Sequence, residues 1–154
     1  MALSLLSPYT ILILSLLTHV NAAVERSPTP EDYLRLHNDL RAVKNAEPLT
    51  WNDKLASYAQ NWADKCVRRH SKGQWGENLA WGYGENCDAG KGVGYWINEQ
   101  YSYNPYHPRP SHYTQMVWKA TKQVGCAIAW CPHLYPNGGD LAVSGRFGGN
   151  YAHI

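Results

Sequence analysis

Apolar positions in this chain recur first at helical spacing and later at strand spacing. Tyr33, Leu36, Leu40 and Val43 repeat every three or four residues behind Thr29-Pro30-Glu31-Asp32, and that period predicts an amphipathic helix running to Asn45. Its start is well specified, with Thr as N-cap, proline at the first helical position and two acids at the positive end of the helix dipole. After Trp51, the positions Leu55, Tyr58, Ala59, Trp62 and Cys66 form the buried stripe of a second helix. Residues 68 to 76 are rich in glycine, serine and charge and read as loop. Val93, Trp96, Ile97 and Gln100 lie on neighbouring turns of a third helix, from Val93 to Tyr101. A proline-rich loop and the segment around His112 follow. Two strand-like runs come last, Gln123 to Trp130 and Leu141 to Phe147, joined by the turn-forming residues Pro132 to Gly139. Helices on both sides of a small antiparallel sheet satisfy this order, so the fold class is α+β.

The ends and the composition narrow the picture. Residues 1–22 carry no charged side chain, an apolar run from Ile11 to Leu17, and small residues at Val20 and Ala22; this reads as a cleaved secretory signal. The run is too short to span a bilayer. Residues 23–154 then form one domain of ordinary size. A formal charge of +2, spread thinly, argues against nucleic acid as a partner, which would need clustered Lys and Arg. The one small cluster, Lys65, Arg68, Arg69 and Lys72, reads as a solvated loop. Four cysteines in a secreted chain imply an oxidising compartment and up to two disulfides, with three connectivities open. Cys126 and Cys131 are five apart on one strand-like run, so their side chains point to opposite faces and should not pair with each other.

Candidate chemistry centres on His70, Glu77, Glu99 and His112. Imidazoles and carboxylates are zinc ligands, and two His with one Glu plus water is a known catalytic zinc shell. Their spacings are too long for a local motif such as His-Glu-x-x-His, so on spacing alone they read as scattered surface residues. Ser71 follows His70, but nothing marks an oxyanion hole, and a turn or cap role suits it better. Eight Trp and Tyr residues lie between Trp75 and Tyr106, a quarter of that segment against 12% aromatic for the chain. Rings with an apolar body and one hydrogen-bonding end suit cavities and interfaces.

Several short motifs occur in a fixed order from Glu31 to Tyr151. They are Asn52 to Ala56, His70-Ser71, Gly76-Glu77-Asn78, Trp96 followed by Glu99, Ser111-His112-Tyr113-Thr114-Gln115-Met116-Val117-Trp118, and Gly125-Cys126. This ordered set resembles the signature of the CAP superfamily of secreted proteins, and within it the pathogenesis-related 1 family. The resemblance implies a single-domain α-β-α sandwich and a tetrad of His70, Glu77, Glu99 and His112 lining a central cleft, a candidate site for Zn²⁺ or another divalent cation. It implies a disulfide between Cys66 and Cys131. It further implies capture of a sterol, a fatty acid or a similar apolar lipid in defence or host–microbe interaction, with an aromatic loop of Trp81, Tyr83, Tyr101, Tyr103 and Tyr106 against the ligand. The expected protein is extracellular, touches membranes transiently and is a monomer or weak dimer. The alternative is a metal-dependent hydrolase using the tetrad.

The chain departs from that family in places. The cysteine pair that brackets the loop before the histidine motif is absent, and Pro105, Pro108 and Pro110 stand there instead. The family partner of Cys126 is missing, Cys87 has no counterpart, and these two are expected not to pair with each other. Ser144-Gly145-Arg146-Phe147 replaces the usual segment before Gly149-Asn150-Tyr151, so the family's C-terminal signalling peptide is not carried over.

Overall fold

The computed structural model describes residues 28–83, 88–132 and 140–149, with only the backbone described at Tyr83, 140–143 and 149. The expected signal segment and Cys87 lie outside the described residues. Helix α1 spans Pro30–Val43 and opens with a full capping box: Thr29 Oγ1 accepts from the Asp32 N–H, and the Thr29 N–H donates to Asp32 Oδ2 at 2.9 Å. Asn45, at φ 52°, takes the left-handed conformation just past the helix end, a position Asn tolerates. The helix therefore stops short of its expected end, and Val43 is 73% exposed rather than on the buried stripe.

The buried face of α1 is Tyr33, His37, Leu40 and Arg41. The fully buried Arg41 donates to four carbonyl groups: Glu47 O at 2.6 Å, Met116 O at 2.8 Å, Trp118 O at 3.0 Å and Thr121 O at 3.2 Å. One guanidinium thus joins the end of α1 to the segment entering the sheet. Asn38 makes a paired bond with the Leu49 backbone, accepting at 2.8 Å and donating at 3.1 Å, and this fixes the chain as it enters strand β1, Thr50–Trp51.

Helix α2, Asp53–Ala63, begins at Asn52, whose side chain accepts from the Lys54 and Leu55 N–H groups. Its buried residues are Leu55, Ala59 and Ala63, with Tyr58 and Trp62 only partly covered. Strand β2, Gly76–Tyr83, was not evident from sequence because its buried positions include Glu77 and Asn78. Helix α3, Ala89–Asn98, starts a turn earlier than its apolar spacing suggests and continues into a 3₁₀ turn, Glu99–Ser102. Its early start contains Gly90 and Gly92, poor helix formers; an Asp88 N-cap and burial of Ala89, Gly92 and Val93 override that propensity. A short helix α4, His112–Met116, leads into β3, Thr121–Cys131, and β4, Asp140–Gly149.

The sheet order is β1-β3-β4-β2, antiparallel except for the two-residue parallel pairing of β1 with β3. Helix α2 covers one face, and α1, α3 and α4 cover the other. Gly125 marks how closely α2 approaches: a Cβ there would sit 2.1 Å from the Ala56 backbone nitrogen. On the opposite face a Cβ at Gly145 would meet the Trp96 ring at 3.1 Å. The main core lies on that second face, around Trp96, Val93, Met116, Val124, Cys126 and Phe147. Cys66 and Cys131 form a disulfide with Cα atoms 5.5 Å apart, tying the end of α2 to the sheet. In the chain-entropy picture a loop of this size contributes about 4 kcal/mol. Cys126 is buried and unpaired among the described residues, and burial pushes its thiol pKa upward, so it serves as a small apolar residue.

Candidate functional site

Two histidine–glutamate pairs flank the edge strand β2. In the first, His70 Nδ1 lies 2.5 Å from Glu77 Oε1. The Ser71 N–H donates to both Glu77 oxygens, at 3.0 and 3.3 Å. Arg146, opposite Glu77 on β4, completes the cage: it forms an ion pair with Glu77 Oε2 and donates to Ser71 Oγ at 2.8 Å. Its guanidinium is fully buried and lies 4.7 Å over the Tyr58 ring of α2. Burial lowers its pKa to about 10, which leaves it cationic at neutral pH. Desolvation first, and the Arg146 charge second, also lower the pKa of His70. Glu77 does not reverse that direction because its charge is already shared with Arg146 and the Ser71 N–H.

The second pair is held from three sides. His112 Nδ1 lies 2.6 Å from Glu99 Oε1, and the Tyr113 N–H donates to Glu99 Oε2 at 3.0 Å. The imidazole stacks on Trp96 with ring centres 6.2 Å apart, and Asn78 Nδ2 donates to the His112 carbonyl at 3.0 Å. Ser111 caps α4 and so sets the entry of His112 into its helix. Burial alone would raise the Glu99 pKa; the hydrogen bonds from His112 and Tyr113 outweigh it and hold the carboxyl below its ordinary value.

Strand alternation explains the relation between the pairs. Glu77 points toward α2 with Arg146, whereas Asn78, one residue on, points to the Trp96 side and carries His112. Among the described residues, no three His, Cys, Asp or Glu side chains stand close enough together to hold a metal ion. What the arrangement offers is two imidazoles, each oriented through Nδ1 by a carboxylate and so presenting Nε2, the second-layer pattern found behind metal-bound histidines. Each imidazole taken singly thus has the orientation of a metal ligand. Ser71 is a turn residue: its hydroxyl accepts from Arg146 and, at 3.1 Å, from the Gly73 N–H.

The expected aromatic loop divides between the two faces of the sheet. Trp81 packs on the disulfide with Ala63 and Ala129, and Arg68 lies over its ring at 5.8 Å. Tyr83 is described by backbone alone. Tyr101 and Tyr106 stand 83% and 87% exposed. Tyr103 meets Tyr113 at 5.4 Å between ring centres. Those two rings open a cleft of about 420 Å³ completed by Thr114, Val117, Trp118, Lys119 and Ala120. Trp118 is 42% exposed, and Lys44 Nζ stands 5.8 Å from the centre of the Tyr113 ring.

Sequence reasoning missed Arg146, Asn78 and this cleft. A signal for Arg146 was present, since a charged residue between Gly145 and Phe147 in a strand-like run has no solvent-facing reason to be there when its neighbours are apolar. Of the cleft only Tyr103 carried a signal, because its other walls come from α4 and the turn that follows it, a segment to which the apolar period assigns no element.

Comparison with known proteins places the chain. A family model described as "CAP: Cysteine-rich secretory protein family" matches residues 34–142. The chain is 40% identical to pathogenesis-related protein 1C of Nicotiana tabacum over 149 residues, covering 88% of this chain and 82% of that protein. Among solved structures, hookworm platelet inhibitor superposes with a TM-score of 0.66 at 20% identity, covering 80% of this chain and 70% of the other. The structure of NaASP2 with Zn²⁺ superposes with a TM-score of 0.61 at 22% identity, covering 77% and 78%.

Proposed function

The chain belongs to the cysteine-rich secretory protein family, in its pathogenesis-related 1 branch, and from that premise we propose that it works outside the cell by taking up a sterol or another apolar lipid. The observation that carries this reading is the cleft of about 420 Å³ beside α4. It falls in the size range of small-ligand sites and has mostly apolar walls with a few polar groups at the rim. Tyr103 belongs both to this cleft and to the aromatic loop expected from sequence, and the outward Tyr101 and Tyr106 stand in the same segment. A rigid apolar body would lie between Tyr113, Val117 and Trp118. The test is equilibrium binding of labelled cholesterol, ergosterol and palmitate to purified protein. Saturable uptake of at least one at micromolar concentration supports the reading, and uptake of none rejects it.

A second reading, favoured by the two Nδ1–carboxylate bonds, is a divalent metal held by His70 and His112, with Glu77 and Glu99 orienting the rings. A bound zinc would supply a water acidified toward neutral pH. The residues' own part is to fix the two imidazoles and, through the Arg146 ion pair, to hold the Glu77 carboxylate in place. Zinc retained after dialysis at a stoichiometry near one, and lost when both histidines become Ala, would support this reading; zinc-free protein with full lipid binding would exclude it.

A further inference from the structure

The connection between α2 and β2 concentrates positive charge that neither reading uses. Of the 14 Lys and Arg in the chain, four (Lys65, Arg68, Arg69 and Lys72) fall within eight residues. Asp64 accepts from the neutral Gln60 amide at 2.7 Å and keeps its charge, so four cations stand against one acid between Asp64 and Lys72, while Glu77 is shared by His70, Ser71 and Arg146. The loop is solvated, as the sequence suggested, and it is also held in place. Cys66 is tied to Cys131, Trp62 Nε1 donates to the Arg69 carbonyl at 3.0 Å, and Gly73 N–H to Ser71 Oγ at 3.1 Å. Lys65 Nζ stands 4.7 Å from the centre of the Trp62 ring, and the Arg68 guanidinium 5.8 Å from that of Trp81, so two of the cations rest on indoles. All four cationic residues are exposed.

We propose that this ridge is a docking surface for an acidic polysaccharide, a chain whose carboxylate or sulfate groups repeat at short intervals. A short basic run fixed in place is an electrostatic footprint for a polyanion. Because the backbone is already pinned, little ordering entropy is lost on binding. Among the described residues of the ridge no large apolar side chain stands outward for insertion, which favours a polymer over a bilayer as the occupant. Trp62 and Trp75 are half-buried, the outward Tyr101, Tyr106 and Trp118 lie elsewhere in the chain, and Trp130, next to the disulfide, alternates onto the face of the sheet opposite Ala129 and Cys131. Membrane-surface segments combine basic and buried apolar contacts, and this ridge has only the first.

The experiment measures retention of the full chain on immobilised polygalacturonate, with heparin in parallel, from about 50 mM salt upward. Wild-type protein is compared with two triple variants of equal charge change: Lys65→Gln/Arg69→Gln/Lys72→Gln on the ridge, and Arg35→Gln/Lys54→Gln/Lys122→Gln on other surfaces. Thermal unfolding confirms that both fold. The ridge variant is expected to lose about tenfold or more in affinity and to show a shallower salt dependence, the control variant less than about twofold, and sterol uptake is unchanged in both. Equal losses in the two variants, or no retention of wild type on either polymer, overturn the proposal. Wild-type binding to phosphatidylglycerol vesicles without binding to either polymer overturns it in favour of a lipid surface.

Discussion

Acid should destabilise this fold chiefly through one residue that sequence patterning did not place in the core. His37 is fully buried on α1, with Nδ1 2.8 Å from the Tyr33 carbonyl, an acceptor that makes Nδ1 the protonated nitrogen. Its Nε2 has no partner. The rings of Phe147 and Trp96 lie 5.6 and 6.4 Å away between centres. A proton added at Nε2 would place a cation among them without a counter-charge. Burial first, and the Arg41 charge as well, lower the His37 pKa from 6.5 to about 4. Because the folded value is depressed, the stability is fully present above the unfolded pKa. It drains away as pH falls from about 6.5 to about 4, where both states are protonated. The gap corresponds to about 3 kcal/mol, a large fraction of a typical domain's stability. Denaturant unfolding of the oxidised protein at several pH values measures it. His37→Leu removes the titrating group along with an unpartnered buried nitrogen; at neutral pH it should cost no more than about 1.5 kcal/mol, and it should remove most of the slope between pH 6.5 and pH 4. His70 and Glu99 titrate in both proteins and cancel in the comparison. If the Leu variant keeps the wild-type slope, His37 is not the acid-sensitive group and its assigned environment is wrong.

Gly125→Ala should destabilise by about 3 kcal/mol or more, because its Cβ would meet the Ala56 and Leu55 backbone at 2.1 and 2.6 Å. Gly94→Ala, in α3 with open space around its Cβ, should instead gain up to about 1 kcal/mol; similar unfolding midpoints for the two would contradict the packing of α2 on β3. The Cys126 thiol should resist alkylation in the native protein and react after denaturation, as followed by peptide mass mapping, and native labelling would show that it is not buried. Arg146→Met should raise the His70 pKa in an NMR titration, since it removes a repelling cation and returns the Glu77 charge to the imidazole. The same change should cost about 3 kcal/mol by leaving Glu77 buried without its partner. An unmoved His70 would mean that Arg146 does not act on the pair.

Where backbone chemistry and hydrophobic period agreed, the fold could be read ahead. Thr29-Pro30-Glu31-Asp32 marked the start of α1 to the residue, and the runs that became β3 and β4 were visible as strands. Failure came where buried groups are polar. A pattern built on apolar residues assigns Val43 to the stripe and passes over His37 and Arg41, yet the latter two are buried because carbonyl groups await them. Strand β2 was hidden for the same reason, since its interior positions Glu77 and Asn78 serve the two histidines. The histidines and glutamates were recognisable only through a family's ordered motifs, because their partners are distant in sequence: His112 and Glu99 are 13 apart, and Asn78 and His112 are 34 apart. Local spacing has no means of encoding that proximity.

The central claim is that an apolar ligand sits between Tyr103, Tyr113, Val117 and Trp118. Its most direct measurement is the affinity of Trp118→Ala beside that of Trp81→Ala, using the labelled lipid that wild-type protein binds best. Removing the Trp118 ring takes away one wall of the cleft and should weaken binding by about tenfold or more, consistent with about 1.5–3 kcal/mol for a buried apolar side chain. Trp81, on the opposite face against the disulfide, should leave affinity within about twofold, since it touches none of the cleft residues. Loss at Trp81 with no change at Trp118 would contradict the account and move the ligand to the α2 side of the sheet.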